Sequence, residues 1–178
     1  MNILKKLNNQ GLTIIELMTV IGIIAVVSAI TVPNLLGALP NLRLKSAAND
    51  LSSSINKAKL MAARTNLTHA ITFNQPIGSI TYDYIFYQDT NGNLEYDAGE
   101  LVIERVRWID YPSVSLDAAG NNFMLNDQNR PSVGFRPNGL SINNIGGFGA
   151  GSVVIRNTKG TRYSIVVSST GSVTVNRL

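Results

Sequence analysis

Residues Asp89-Thr90-Asn91-Gly92-Asn93-Leu94-Glu95-Tyr96-Asp97-Ala98-Gly99-Glu100 carry the densest set of hard oxygen donors in this 178-residue chain. Asp89, Asn91, Asn93, Glu95, Asp97 and Glu100 fall at the first, third, fifth, seventh, ninth and twelfth places of the run. That spacing matches a calcium loop of the EF-hand kind, so structural Ca2+ is the one cofactor the sequence suggests. Leu94 stands where such a loop has glycine, and no helical pattern flanks the run. A solvated hairpin connection turning at Asn91-Gly92 is the competing reading.

A second chemical feature is Glu16, the one charge in an apolar run from Leu12 to Val32. A carboxylate in a membrane-length segment is costly unless it finds a partner, so it marks a functional site by default. Other chemistry is sparse. His69 is the only histidine and cysteine is absent, which removes disulfides, thiolate catalysis and cysteine-bound zinc. No Gly-x-Ser-x-Gly elbow occurs. The glycine-rich stretch 143–151 lacks the lysine and following helix of a phosphate loop. Nothing points to an enzyme.

These residues need elements to hold them. The run from Leu12 to Val32 is long enough to span a bilayer as a helix. Lys5 and Lys6 precede it, which places the N-terminus in the cytoplasm and the remainder outside. Without those two lysines the net charge falls from +4 to +2, so the high isoelectric point does not by itself indicate nucleic acid. A plain signal anchor, or a signal peptide cut near Ala38, is the bland alternative, and neither needs Glu16.

Beyond Pro33 the pattern becomes amphipathic. Leu44, Ala47, Ala48, Leu51, Ile55, Ala58 and Ala62 recur at helical steps. One long helix is expected to about Thr65, with a bend or break between Pro33 and Pro40. From Leu67 onward the chain reads as short strands: His69–Phe73, Thr81–Tyr87, Leu101–Trp108, Ser132–Phe135, Ser152–Ile155, Tyr163–Val167 and Ser172–Val175. Asp117–Asn129 reads as an exposed loop. Trp108, Tyr82, Tyr84 and Tyr87 read as sheet packing before a ligand-stacking face. The fold class is α+β, a long N-terminal helix packed on antiparallel sheet. Its segments are 1–11, a membrane helix at 12–33, an amphipathic helix at 34–66 and a β-rich domain at 67–178.

The string GLTIIELMTVIGIIAVVSAITVP closely resembles the N-terminus of type IV pilins and type II secretion pseudopilins. Further along, the alanine-rich helix, Asp89-Thr90-Asn91-Gly92-Asn93, Asp97-Ala98-Gly99-Glu100, Phe135-Arg136-Pro137-Asn138-Gly139 and a terminal hairpin with Gly171 follow the order of the GspH/FimT family of minor pseudopilins and minor pilins.

The resemblance implies that residues 1–11 are a leader. A prepilin peptidase would cut between Gly11 and Leu12, Leu12 would be N-methylated, and Glu16 would guide assembly with other pilins at an inner-membrane platform. Leu12 departs from the phenylalanine more usual there. The implied protein is a single-pass inner-membrane subunit, surrounded by membrane lipid, with a periplasmic C-terminal domain that moves into a pseudopilus or pilus. Some FimT-like proteins capture DNA through a glycine followed by alternating arginines. Here Gly171–Arg177 keeps one arginine, so Arg156, Lys159, Arg162 and Arg177 form at most a modest DNA patch.

Overall fold

A computed structural model describes residues 12–178, so Gly11 and the expected leader lie outside the described residues. The order is a long helix α1 (Ile14–Thr65), then strands β1 (His69–Ile77), β2 (Ile80–Gln88), β3 (Val102–Val106), β4 (Val114–Asp117), β5 (Ser132–Phe135), β6 (Ser141–Ile142), β7 (Gly151–Asn157), β8 (Arg162–Val167) and β9 (Val173–Arg177). The fold is α+β, as the sequence indicates. The chain divides into two compact units, the first ending at Leu39 and the second running Pro40–Leu178.

Of the bend or break expected between Pro33 and Pro40, the break is corrected: α1 is uninterrupted through both prolines. Each proline removes only its own N–H, and a membrane-type helix tolerates a single missing bond. The helix ends where Asn66 takes a φ of +58°, the left-handed cap that asparagine tolerates.

In the second unit the buried side of α1 is Leu44, Ala47, Ala48, Leu51, Ser54, Ile55, Ala58 and Ala62. These alternate large and small, so the helix backbone comes close to the sheets while leucine and isoleucine fill the gaps. Each fully buried Leu or Ile contributes about 1.5–3 kcal/mol. They share one core with Ile71 and Phe73 of β1, Tyr84 and Phe86 of β2, Val133 and Phe135 of β5, Val153 and Ile155 of β7, and Ile165 and Val167 of β8.

Two antiparallel sheets surround that core. One has the order β3-β2-β1-β5-β6, the other β4-β7-β8-β9. A second, smaller core covers the outer face of the first sheet: Ala70, Ile85, Tyr87, Ile142 and Leu94, the last delivered by the β2–β3 loop. A Cβ on Gly134 would lie 2.4 Å from Leu94 Cδ2, so β5 carries glycine where the leucine lands.

Three expectations are revised. Strands β4 and β6 are not among the expected strands: β4 alternates over only four residues and β6 has two, too short to stand out until β7 and β5 complete their hydrogen bonding. Trp108 is not in a strand; it starts a 3-10 turn, Trp108–Asp110, and packs against Tyr84 and Tyr111. The stretch 117–129 is only partly exposed. Phe123 is buried and stacks on Phe73, and Asn126 Nδ2 donates to the Leu94 carbonyl at 2.8 Å.

Candidate functional site

The N-terminal end of α1 holds the first site. Thr13 is the residue before the helix and Glu16 its third helical position. Glu16 Oε2 accepts hydrogen bonds from Thr13 N at 2.9 Å and Thr13 Oγ1 at 2.8 Å, while Glu16 N donates to Thr13 Oγ1 at 3.3 Å. This is a reciprocal capping box. The sequence expectations omit Thr13, although its signal, Thr-x-x-Glu before an apolar run, is legible. In the described chain the carboxylate is therefore already satisfied locally.

Around it the helix is apolar and bare. Leu12 is 74% exposed, and Ile14, Ile15, Met18, Ile21, Ile24, Val27 and Ile30 are all exposed. A mean hydropathy of 2.4 makes this part of α1 apolar enough to cross a membrane. Such a surface requires lipid or other helices against it.

The β2–β3 loop holds the second candidate. Asp89 is buried, its Oδ1 accepting from Gly92 N at 2.7 Å and its Oδ2 from Leu94 N at 3.0 Å. Asp97 Oδ2 accepts from the Asn91 and Asn93 amides at 2.8 and 3.2 Å. Glu100 accepts from Thr90 N, Thr90 Oγ1 and Asp97 N. Glu95 is engaged at its edge by Gln128 Nε2.

Burial pushes the Asp89 carboxyl above its ordinary range, and the Glu100 charge adds to this against the lowering effect of the backbone N–H bonds. Leu94 has a φ of +57°, so the backbone takes the left-handed turn for which a calcium loop uses glycine. The side chains do not follow. Among the described residues no three carboxylate or histidine groups gather where they could hold a metal. As it stands, the loop is closed by its own donors and anchored by Leu94.

The third candidate, the four cations, is split. Arg156 and Arg162 lie directly opposite each other on β7 and β8, and the exposed Lys159 sits in the turn joining them. Arg177 pairs with Tyr163, whose side chain packs toward the main core. Residues opposed across a ladder share a face, so Arg177 is on the other side of the sheet from Arg156 and Arg162. His69 is fully buried against Phe86, its Nδ1 3.1 Å from the Leu67 carbonyl. Tyr84, Tyr87 and Trp108 are buried and Tyr82 half-buried, as core packing requires.

A polar seam joins α1 to β3. Glu104 accepts from Ser54 Oγ at 2.6 Å and pairs with Lys57, and Ser54 Oγ also lies 3.3 Å from the Tyr84 hydroxyl. Burial would raise the Glu104 carboxyl, but the hydrogen bonds from Lys57 and Ser54 outweigh it and hold it low.

A capped apolar N-terminal helix continuing into the buried spine of a two-sheet α+β domain defines a pilin-type subunit. The chain belongs to the family of type II transport protein GspH, whose family model matches residues 47–171. The prokaryotic N-terminal methylation motif matches residues 6–32. The chain is 34% identical over 96 residues to pilin-like protein PilA1 of Thermus thermophilus, an overlap of 53% of this chain and 57% of that protein. It thus spans little more than half the length of that curated relative. No solved structure matches.

Proposed function

We propose that this chain is a minor pilin or pseudopilin made as a precursor. A prepilin peptidase cuts between Gly11 and Leu12, and Leu12 is N-methylated. The product waits in the inner membrane as a single-pass protein, N-terminus in the cytoplasm and residues 40–178 in the periplasm. From there an assembly platform moves it into a type II secretion pseudopilus or a type IV pilus beside other pilins. The observation that carries this reading is the Thr13–Glu16 capping box at the head of a bare apolar helix.

The chemistry follows from that closure. Cutting before Leu12 creates an amine one residue from Thr13. In the lone subunit, Thr13 satisfies Glu16. When helices pack, the carboxylate exchanges its neutral Thr13 donors for a charged amine, its own or a neighbour's, and the pair fixes axial register in a low-dielectric core. The exposed isoleucines and valines then bury against equivalent helices at about 25 cal/mol per Å².

Glu16→Ala is expected to remain in the membrane fraction and to be missing from sheared filaments. Normal recovery of the variant in filaments would overturn the assembly role. Replacing Gly11 with a bulky residue is expected to leave an uncut precursor, and a mature N-terminus at Leu12 in that variant would refute the cleavage site. A DNA-capturing tip role is the weaker reading, since Arg177 does not share a face with Arg156 and Arg162.

A further inference from the structure

Two acid-free stretches of this chain meet at one point of the globular unit. No Asp or Glu occurs between Glu16 and Asp50, and none follows Asp127. Asn41 stands two residues past Leu39, where the first unit ends. Its Oδ1 accepts from Asn157 Nδ2 at 2.7 Å and Thr161 Oγ1 at 3.1 Å. Asn157 Oδ1 in turn accepts from the backbone N–H groups of Lys159 and Thr161, both at 3.0 Å. The β7–β8 turn is thereby built around one asparagine and tied to the start of the globular unit.

Arg156 and Arg162 flank this turn as a directly opposed cross-strand pair on the outer face. Like charges directly opposite destabilise a sheet, and packing does not demand them here, because both point away from the core. Arg162 Nε lies 3.4 Å from Asp117 Oδ2, which offsets part of one charge. Arg156 has no acidic partner among the described residues. With Ser115, Asn157, Thr158 and Gly160 the two arginines line an open recess of about 350 Å³. Lys45, four residues on and on the same face of α1 as Asn41, adds a further exposed cation.

We propose that this recess binds the headgroup of an anionic phospholipid in the bilayer that α1 enters. Guanidinium forks fit a phosphodiester through paired N–H bonds, and the Ser115 and Thr158 hydroxyls supply further donors. Cations just beyond a membrane span are drawn to anionic lipid. Because the same chain is anchored, the surface is present at high effective concentration, and a weak site suffices. The lipid, and not a dissolved phosphate, is the ligand because the turn is tied to Asn41, two residues past the unit that holds the apolar segment. The site would hold the globular unit on the membrane until the subunit is drawn into a filament. This inference rests on the membrane-anchored part of the proposed function and not on cleavage or assembly.

The test uses the full-length chain in nanodiscs of phosphatidylcholine with a minor fraction of phosphatidylglycerol, and counts by native mass spectrometry the lipids that leave with the protein. Wild type is expected to retain phosphatidylglycerol in excess of its share. R156Q/R162Q is expected to lower that enrichment roughly tenfold. R136Q is expected to leave it unchanged, because it removes a cation at the turn beside Lys59, about 27 Å along the helix from Asn41. Both arginines are solvent-facing, so thermal melting should not move; if it does, R156Q alone carries the test.

Equal enrichment in wild type and the variants would overturn the site. So would binding of inorganic phosphate in detergent without any lipid preference in nanodiscs. A duplex-DNA complex that needs the same arginines, with lipid enrichment unaffected by R156Q/R162Q, would assign them to nucleic acid instead. Failure to enter nanodiscs at all would count against membrane anchoring, whereas entry without lipid selectivity would count against this site alone.

Discussion

Lys59 Nζ donates to the Gly171 carbonyl at 3.0 Å, joining residues 112 apart in sequence. Gly171 has a φ of +72°, and a Cβ there would fall 2.3 Å from the Gly139 carbonyl oxygen. Gly139 itself has a φ of +81° and would place a Cβ 3.2 Å from Lys59 Cε. The Arg136–Gly139 turn and the β8–β9 turn therefore brace each other beneath one lysine. Ser141 Oγ, donating to the Ser168 carbonyl at 2.8 Å, adds a second tie between the two sheets.

Gly171→Ala is accordingly expected to destabilise the domain by about 1–3 kcal/mol, through a strained φ and a clash with rigid backbone. Gly160→Ala also meets a positive φ but has open space around it, so it should cost less. Urea unfolding of the two variants checks the order, and equal midpoints would sink the bracing argument.

Glu104 gives a pH-dependent prediction. Its folded carboxyl is held below the ordinary value of 4.5, so its contribution is present above that value and is lost as pH falls through the folded value. Glu104→Ala is expected to cost about 1–3 kcal/mol at neutral pH, chiefly by leaving Ser54 short of a partner at the helix–sheet seam. Half-exposed Lys57 can turn to water. Stability of the variant measured against pH should be flatter in the acid range than that of wild type.

His69 should make the domain acid-sensitive at a higher pH. Burial lowers its pKa below the ordinary 6.5, with the Leu67 carbonyl and the Asp89 charge opposing the shift. The unfolded chain then binds the proton more readily than the folded one. Stability is complete above about pH 6.5 and declines as pH falls from there toward the folded value. Melting temperature followed from pH 7.5 to 5 should drop in wild type, and the His69→Gln variant should show a shallower slope.

Calcium tests the two uses of the β2–β3 loop. A loop closed by its own N–H and amide donors should melt at the same temperature with millimolar calcium or with chelator. A rise with calcium would mean that the Asn91 and Asn93 amides turn their oxygens inward to join Asp89, Asp97 and Glu100. Leu94→Ala is expected to destabilise by about 2–5 kcal/mol in either case, since it empties the smaller core.

What the sequence alone determined is local and periodic. The apolar run from Leu12, its one carboxylate, and the stripe from Leu44 to Ala62 follow from composition and helical spacing, which any helix made of those residues must express. The seven strands with alternating or β-branched character were legible for the same reason. Tertiary contact decided the rest. Strands β4 and β6 exist because a neighbour completes their ladders. Leu94 adopts a left-handed backbone because an apolar socket opposite Gly134 rewards its burial. Phe123 and Asn126 are drawn in from a stretch whose composition reads as solvent-exposed. The separation of Arg177 from Arg156 and Arg162, and the tie of their turn to Asn41, depend on strand register and on partners 116 and 120 residues apart. No local pattern encodes such a distance, because only the closed chain brings those side chains within reach.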